Sequence, residues 1–390
     1  LFAHKGLKIG DGTFQNCNIK TVSLPPSITA IGLKAFQNSG LVEITIPPSV
    51  TFIGDNAFQN CVSLNKITFS DSIETIGANA FKNCKSLKSF TFPSSVKNIS
   101  SGILSGCSSI ECVTINSPLK SIEDSTFCGC SSLKSIELPS SIITIGNNAF
   151  NKCKLLKEII IPSSTTSIGE KAFSHCTSLI NIIIPSSVSL IGKECFSECA
   201  SLPKITIPES IKCIDNSLFN SCTLLSQINI LSPIELIGEY AFYNCSSLTK
   251  IEIPPTVKTI DTGAFAGCSS IKEIIIPASV TKIGYLAFNK CKSLEKVEIL
   301  SSLTTIESYT FTRCSSLKSF EIPSSVTILK SYAFSNCTAL EKILIPSSVK
   351  IIEQFCFENC KELDNVILES VTELGNSAFC GCKSLKNISL

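Results

Sequence analysis

Residues 168–190 read IGEKAFSHCTSLINIIIPSSVSL, and this stretch decides the fold. From Leu179 to Ile184 apolar residues alternate with variable ones, the period-two signature of a strand with one buried face. Pro185 has no backbone N–H to donate, so the strand ends there. Val188 and Ile191 space apolar residues again and predict a second short extended run. Gly169-x-x-Ala172-Phe173 predicts a single helical or 3₁₀ turn.

Outward from this stretch the same phrase recurs to both ends of the chain. Its register is marked by Phe14, Phe36, Phe58, Phe81, Phe127, Phe150, Phe173, Phe196, Phe219, Phe242, Phe265, Phe288, Phe311, Phe334, Phe357 and Phe379, with Leu104 in the one gap. That makes 17 units, separated by 13 intervals of 23 residues and three of 22. No linker or shift of composition interrupts them. One unit cannot bury its apolar side alone, so units must stack, Leu on Leu and Phe on Phe. The expectation is a single solenoid over residues 1–390, a right-handed coil of about 17 repeats. A parallel β-sheet covers one face, and short extended and single-turn 3₁₀ or helical segments the other. Ten units carry Gly before the turn, but others carry Ser100, Glu123, Asp215, Asp261, Glu307, Lys330 or Glu353. A position that accepts Glu and Lys does not require positive φ. It reads as a helix entry, where Gly, Ser and Asp suit capping.

Of the 390 residues 44% are hydrophobic and 16% charged, with a formal net charge of +2. Lysines and acids are interspersed, so there is no basic stripe to attract nucleic acid. No apolar run reaches the ~18 to 20 residues of a membrane helix, so no membrane insertion is expected within this segment. Leu1 opens the chain and Met is absent, so a leader or anchor outside it is left open. The chain ends at Leu390 within a strand and without a polar cap. The array is therefore expected to continue, to pair with another chain, or to have been cut there.

The string Ala-Phe-x-x-Cys-x-x-Leu-x-x-Ile-x-Ile-Pro, as in Ala172 to Pro185, resembles the 23-residue leucine-rich repeats of BspA-like proteins, over essentially the whole chain. The resemblance implies a leucine-rich-repeat solenoid and a surface antigen or adhesin that contacts host matrix or cell-surface proteins. An intracellular protein–protein scaffold is the alternative. The generic repeat places Asn or Cys three residues after its last strand leucine. Here Ser stands there, among others at Ser49, Ser72, Ser95, Ser141, Ser187, Ser325 and Ser348. A serine ladder can satisfy turn backbone groups in the same way, more weakly.

Sixteen of the 22 cysteines sit three residues after the register Phe, one per unit, with Ser39 as the exception. One residue per unit at one position describes a ladder of small buried residues. Neighbours in it lie ~4.8 Å apart with parallel Cβ vectors, against ~3.8 Å between the Cβ atoms of a disulfide. The ladder reads as reduced and structural, with disulfide stapling as the alternative. Cys195 and Cys356 read as core, and Cys112 as a solvent-accessible thiol. Cys128 with Cys130, and Cys380 with Cys382, look like metal or redox motifs but lack further ligands nearby. Free thiols argue for a reducing compartment and the resemblance for the cell surface. An anaerobic habitat reconciles the two.

Catalysis, metals and cofactors find no support. The two histidines, His4 and His175, read as solvated polar residues, and neither a P-loop nor a Gly-x-Gly-x-x-Gly follows a strand. Asn-x-Ser/Thr triplets occur at Asn98, Asn244, Asn336 and Asn387, which matter only in a secreted chain.

A partner is expected on the variable positions of the strand face. One column precedes the first strand Ile and includes Glu158, Asn181, Lys250, Glu273, Lys296 and Lys342. The other lies between the two Ile and includes Ile160, Ile183, Glu252, Ile275, Glu298, Glu321, Leu344 and Ile367. Threonine dominates the early units of this second column. Ile160 with Ile183, and Leu344 with Ile367, are predicted exposed apolar neighbours. They mark either indifferent positions filled by β-propensity or a sticky patch rimmed by charge.

Overall fold

The computed structural model describes residues 6–389, in two units, Leu1–Ala200 and Ser201–Leu390. Both are parallel-strand solenoids with two strands per coil. In the first unit the long strand Glu43–Thr45 pairs with Lys66–Thr68, Ser89–Phe92 with Cys112–Ile115, and Glu158–Ile160 with Asn181–Ile183. The second short run predicted from Val188 and Ile191 is also a strand, Leu190–Ile191, in a sheet with Ser121–Ile122, Thr144–Ile145 and Ser167–Ile168. The second unit repeats the plan, with long strands such as Glu273–Ile276 on Lys296–Ile299 and short strands such as Thr305–Ile306 on Ile328–Leu329.

Alternation does what the sequence demands. In Lys204–Ile207 and Glu273–Ile276 the first and third residues are exposed and the second and fourth buried. Leu64, Leu179 and Leu294 are fully buried, as are Phe58, Phe173 and Phe265. The register rings stack face over face. Phe150 and Phe173 lie 5.3 Å apart at 1°, and Phe265 and Phe288 5.4 Å apart at 3°.

The Leu104 coil breaks this column, and strand rings bridge the break. Phe81 touches Phe90 at 5.2 Å, Phe90 touches Phe92 at 4.8 Å, and Phe92 reaches Phe127 at 6.5 Å. Other coils hold Ile where Phe92 stands, for example Ile184 and Ile207. Apolar volume lost on the turn segment is thus supplied from the strand.

The cysteine column lies inside. Along the column thiols donate to the carbonyl of the register residue one coil back: Cys84 Sγ to Phe58 O at 3.3 Å, Cys176 Sγ to Phe150 O at 3.2 Å, Cys291 Sγ to Phe265 O at 3.3 Å. Ser39 keeps the column's polarity, with its Oγ 3.2 Å from Cys61 Sγ. Burial pushes the thiols of Cys291 and Cys337 up to about 12 and that of Cys84 well above the ordinary range. Cys195 and Cys356 are core, and Cys112 is exposed, as expected. Cys130 belongs to the column, donating to Leu104 O at 3.3 Å, which gives one half of the Phe-Cys-Gly-Cys string a packing role.

The serine column also ties coil to coil. Ser95 Oγ donates to Ile73 O at 2.6 Å, Ser141 Oγ to Leu119 O at 2.6 Å and Ser325 Oγ to Leu303 O at 2.7 Å. Ser49 Oγ and Ser348 Oγ are buried without such a partner. Ser141→Ala and Ser325→Ala are each expected to cost ~1 kcal/mol in a urea melt, and Ser49→Ala close to nothing. Equal losses at all three sites would show that the hydroxyls act through something other than these bonds.

One expectation is corrected. Among the described residues no helix or 3₁₀ turn forms after the Gly. Each coil instead places two left-handed residues four apart, such as Asn56 (φ 57°) with Asn60 (φ 60°) and Tyr332 (φ 60°) with Asn336 (φ 61°). Left-handed residues cannot continue a right-handed helix. The backbone N–H groups therefore alternate in direction. Ala57 N and Gln59 N bond within the coil, to Gly54 O and Asn56 O, while Asn56 N and Phe58 N bond to Ala78 O and Ala80 O of the next coil. Frequent Asn and Gly at these two positions was the available signal, because both tolerate this region.

The Gly before the turn does not have positive φ, as read; where Asp replaces it, Asp215 Oδ1 and Asp261 Oδ1 accept from the next backbone N–H at 2.7 and 2.9 Å, and where it is Gly the coils approach closely. A Cβ on Gly54 would lie 2.7 Å from the carbonyl carbon of Gly32. The following residue also accepts, across coils. Asp55 Oδ1 accepts from Ala78 N at 2.8 Å and Asp124 Oδ1 from Asn147 N at 2.7 Å.

The strand face as candidate partner-binding site

The variable columns point outward where the alternation put them. Ile160 is 84% exposed, Ile183 72%, Leu344 67%, Ile367 55% and Ile275 53%. These are large values for side chains whose burial is worth ~1.5 to 3 kcal/mol each. Register brings the predicted neighbours together. Glu158 lies opposite Asn181 and Ile160 opposite Ile183 in the first unit. In the second, Glu273 lies opposite Lys296, Ile275 opposite Glu298, and Glu321 opposite Leu344.

Residues 296–367 of the second unit form a groove of about 1000 Å³. It gathers six predicted residues: Lys296, Glu298, Glu321, Lys342, Leu344 and Ile367. Glu298 is held by Lys296 at 3.5 Å, along the same strand. Such exposed pairs contribute ~0 to 1 kcal/mol, so they orient charge more than they stabilise. Among the described residues Glu321 and Lys342 enter no ion pair with a neighbour. Leu300, 56% exposed, adds an apolar wall that the sequence reading missed. It stands where most coils have Pro, and that replacement was the signal.

Four predicted residues lie outside the groove in the same unit. Lys250 and Glu252 pair at 3.1 Å, but residues 250–252 form no strand, although Ile251 and Ile253 are buried between exposed neighbours. Glu273 and Ile275 sit on the next coil. Glu158, Ile160, Asn181 and Ile183 make a separate patch in the first unit, joined by Ile180, 53% exposed, which was not singled out. A smaller recess of about 470 Å³, lined in part by Glu43, Thr45, Lys66 and Thr68 together with Val22, Leu24 and Ile44, occupies the early coils.

Of the residues weighed for catalysis, His175 places Nδ1 2.8 Å from Glu198 Oε2 on the turn segment, with φ at 59°. His4 lies outside the described residues. Asn98 and Asn387 are exposed on strands, and Asn244 is exposed on the turn segment. No described helix is long and apolar enough to cross a membrane.

Among solved structures the chain is similar to a leucine-rich cell surface protein from Faecalibacterium prausnitzii, with 27% identity over 98% of this chain and 87% of that one and a TM-score of 0.47. A leucine-rich repeat protein from Bacteroides ovatus shares 25% identity over 94% and 75% of the two chains, TM-score 0.44. The pneumococcal vaccine antigen PcpA shares 21% over 90% and 79%, TM-score 0.45. No curated protein matches the chain. The BspA-type leucine-rich repeat region matches in six overlapping copies, from residues 7–131 to residues 281–390. Matched by this repeat region over essentially its whole length, the chain belongs to the BspA-type leucine-rich-repeat family.

Proposed function

We propose that this chain is the protein-binding array of a cell-surface attachment protein, with host matrix or cell-surface proteins as its partners. The observation that carries this reading is the pair of water-facing isoleucines Ile160 and Ile183, side by side in register. Apolar groups beside charge, left uncovered on an ordered sheet, are the material of an interface. The groove with Leu344 and Ile367 offers a second contact of the same kind.

The test is binding of the chain to immobilised extracellular-matrix protein. Changing Ile160 and Ile183 to Thr is expected to weaken capture by about tenfold or more. Its thermal unfolding should stay in place, because Thr stands at this position in earlier coils. Unchanged capture would dismiss the patch. Reading residues 1–390 as one array rests on a register that crosses residue 200 unbroken in the sequence. A single unfolding transition supports it, and two opposes it. The thiol-rich core favours a second reading, an intracellular scaffold, since reducing compartments preserve thiols. Labelling of intact cells with an impermeant reagent separates the two: a chain that stays unlabelled is not at the surface.

A further inference from the structure

The turn segment of the second unit holds a notch of about 480 Å³, apart from the strand columns. It arises from one coil. Gly263 (φ 58°) and Gly267 (φ 81°) occupy both left-handed positions, where the preceding coil has Tyr240 and Asn244 and the following one Leu286 and Lys290. One coil therefore lacks its outward side chains; Tyr240 leans over Gly263 and Asn244 over Gly267, and the notch opens beside Gly267.

The walls have a distinct chemistry. Tyr240 and Tyr243 meet edge to face, 5.6 Å apart at 89°. Further along, Tyr309, Tyr332 and Phe355 stack ring on ring at 4.6 and 4.9 Å, so each covers the faces of the next. Tyr240 has no such successor, because Gly263 follows it and its ring rests against that glycine; among the described residues the two tyrosines contact no ring but each other. Asn220, Asn244 and Asn289 bring three carboxamides; Asn220 Oδ1 already accepts from Ser221 Oγ at 2.8 Å, and Asn289, nine-tenths buried, donates Nδ2 to Thr312 O at 3.4 Å, which leaves the Asn220 amide N–H groups and the Asn289 oxygen for a guest. Lys290 is the one charged residue of the lining, and it contains no carboxylate.

Carboxamides both donate and accept, which suits hydroxyl groups. Tyrosine rings offer an apolar body with a polar tip, which suits C–H faces bordered by hydroxyls. A purely apolar guest would strip water from the amides without replacing their bonds. The volume falls within the ~300 to 1000 Å³ of small-molecule sites. We propose that this notch is a saccharide-binding site, taking a neutral or singly anionic sugar residue between the tyrosine pair and the three asparagines. The site is independent of the strand face.

Saturation-transfer NMR of the whole chain with galactose, N-acetylglucosamine and glucuronate, each at millimolar concentration, tests it. At least one sugar should receive saturation from the unmodified chain. Tyr240→Ser with Tyr243→Ser removes the rings, using a residue found at both positions in other coils, as at Ser217 and Ser174. Gly267→Asn refills the gap with the residue of the preceding coil. Either change should reduce the transfer by about tenfold, whereas Ile160→Thr with Ile183→Thr should leave it alone. Absence of transfer from all three sugars, or transfer that survives both notch variants, overturns the proposal.

Discussion

Raising the pH from 8 to 10 is expected to unfold this protein steeply. The cause is the thiol column. Desolvation holds Cys84, Cys130, Cys153, Cys245, Cys268 and Cys314 well above the ordinary thiol range, and Cys291 and Cys337 at about 12. In the unfolded chain the same groups titrate near ~8.5. Their folded pKa is raised, so the stability linked to the neutral thiol is fully present below the unfolded value. It is lost as pH climbs towards the folded one. Each such thiol removes ~1.4 kcal/mol per pH unit in that window. Three of them lie in each unit, so one pH unit above the unfolded pKa each unit loses ~4 kcal/mol, a large share of the ~5 to 15 kcal/mol of a typical domain. Circular dichroism and thiolate absorbance, followed in one titration under reducing conditions, should change together. Ionisation of all the thiols near their ordinary pH, with the β signal intact, would mean that the column is open to water.

The second large effect concerns the break in the phenylalanine column. Leu104→Phe restores the repeat's own consensus, yet it is expected to destabilise by ~1 to 3 kcal/mol. The space that a ring at 104 would enter is already served by Phe90 and Phe92, which bridge Phe81 to Phe127. Adding Phe92→Ile should recover much of the loss, since Ile is the common residue at that strand position and vacates the bridge. Two residues sharing one space are strongly non-additive. As a reference, Phe173→Ala in the regular part of the column should cost ~3 to 5 kcal/mol. Urea melts of the two single variants and the double variant decide the matter. If Leu104→Phe alone stabilised the chain, the strand rings would not be filling the gap.

The two effects share an origin. Every column of this solenoid is a one-residue-wide chemistry repeated at the coil spacing, so a property of one residue is multiplied along the array. That multiplication steepens the alkaline transition and makes a single irregular coil costly. The strand face is subject to the opposite rule. Its columns are free of packing demands, so Thr, Glu, Lys and Ile can replace one another there without disturbing what lies beneath.

The 23-residue phrase by itself determined the stacking, the two strands per coil, the buried Leu, Phe and Cys columns, and the outward direction of Ile160, Ile183, Leu344 and Ile367. These follow from period-two alternation and from the inability of one coil to bury its own apolar side, both local properties of the pattern. The tertiary structure alone decided how the turn segment is built, which carbonyl each thiol and serine hydroxyl meets, and where a groove or notch opens. Those depend on atoms 22 to 26 residues apart, as in the bonds from Ser141 to Leu119 and from Cys84 to Phe58. A periodic sequence says that such neighbours exist. Only their packing says which donor faces which acceptor, and that is why the left-handed pair at Asn56 and Asn60 was read as a helical turn.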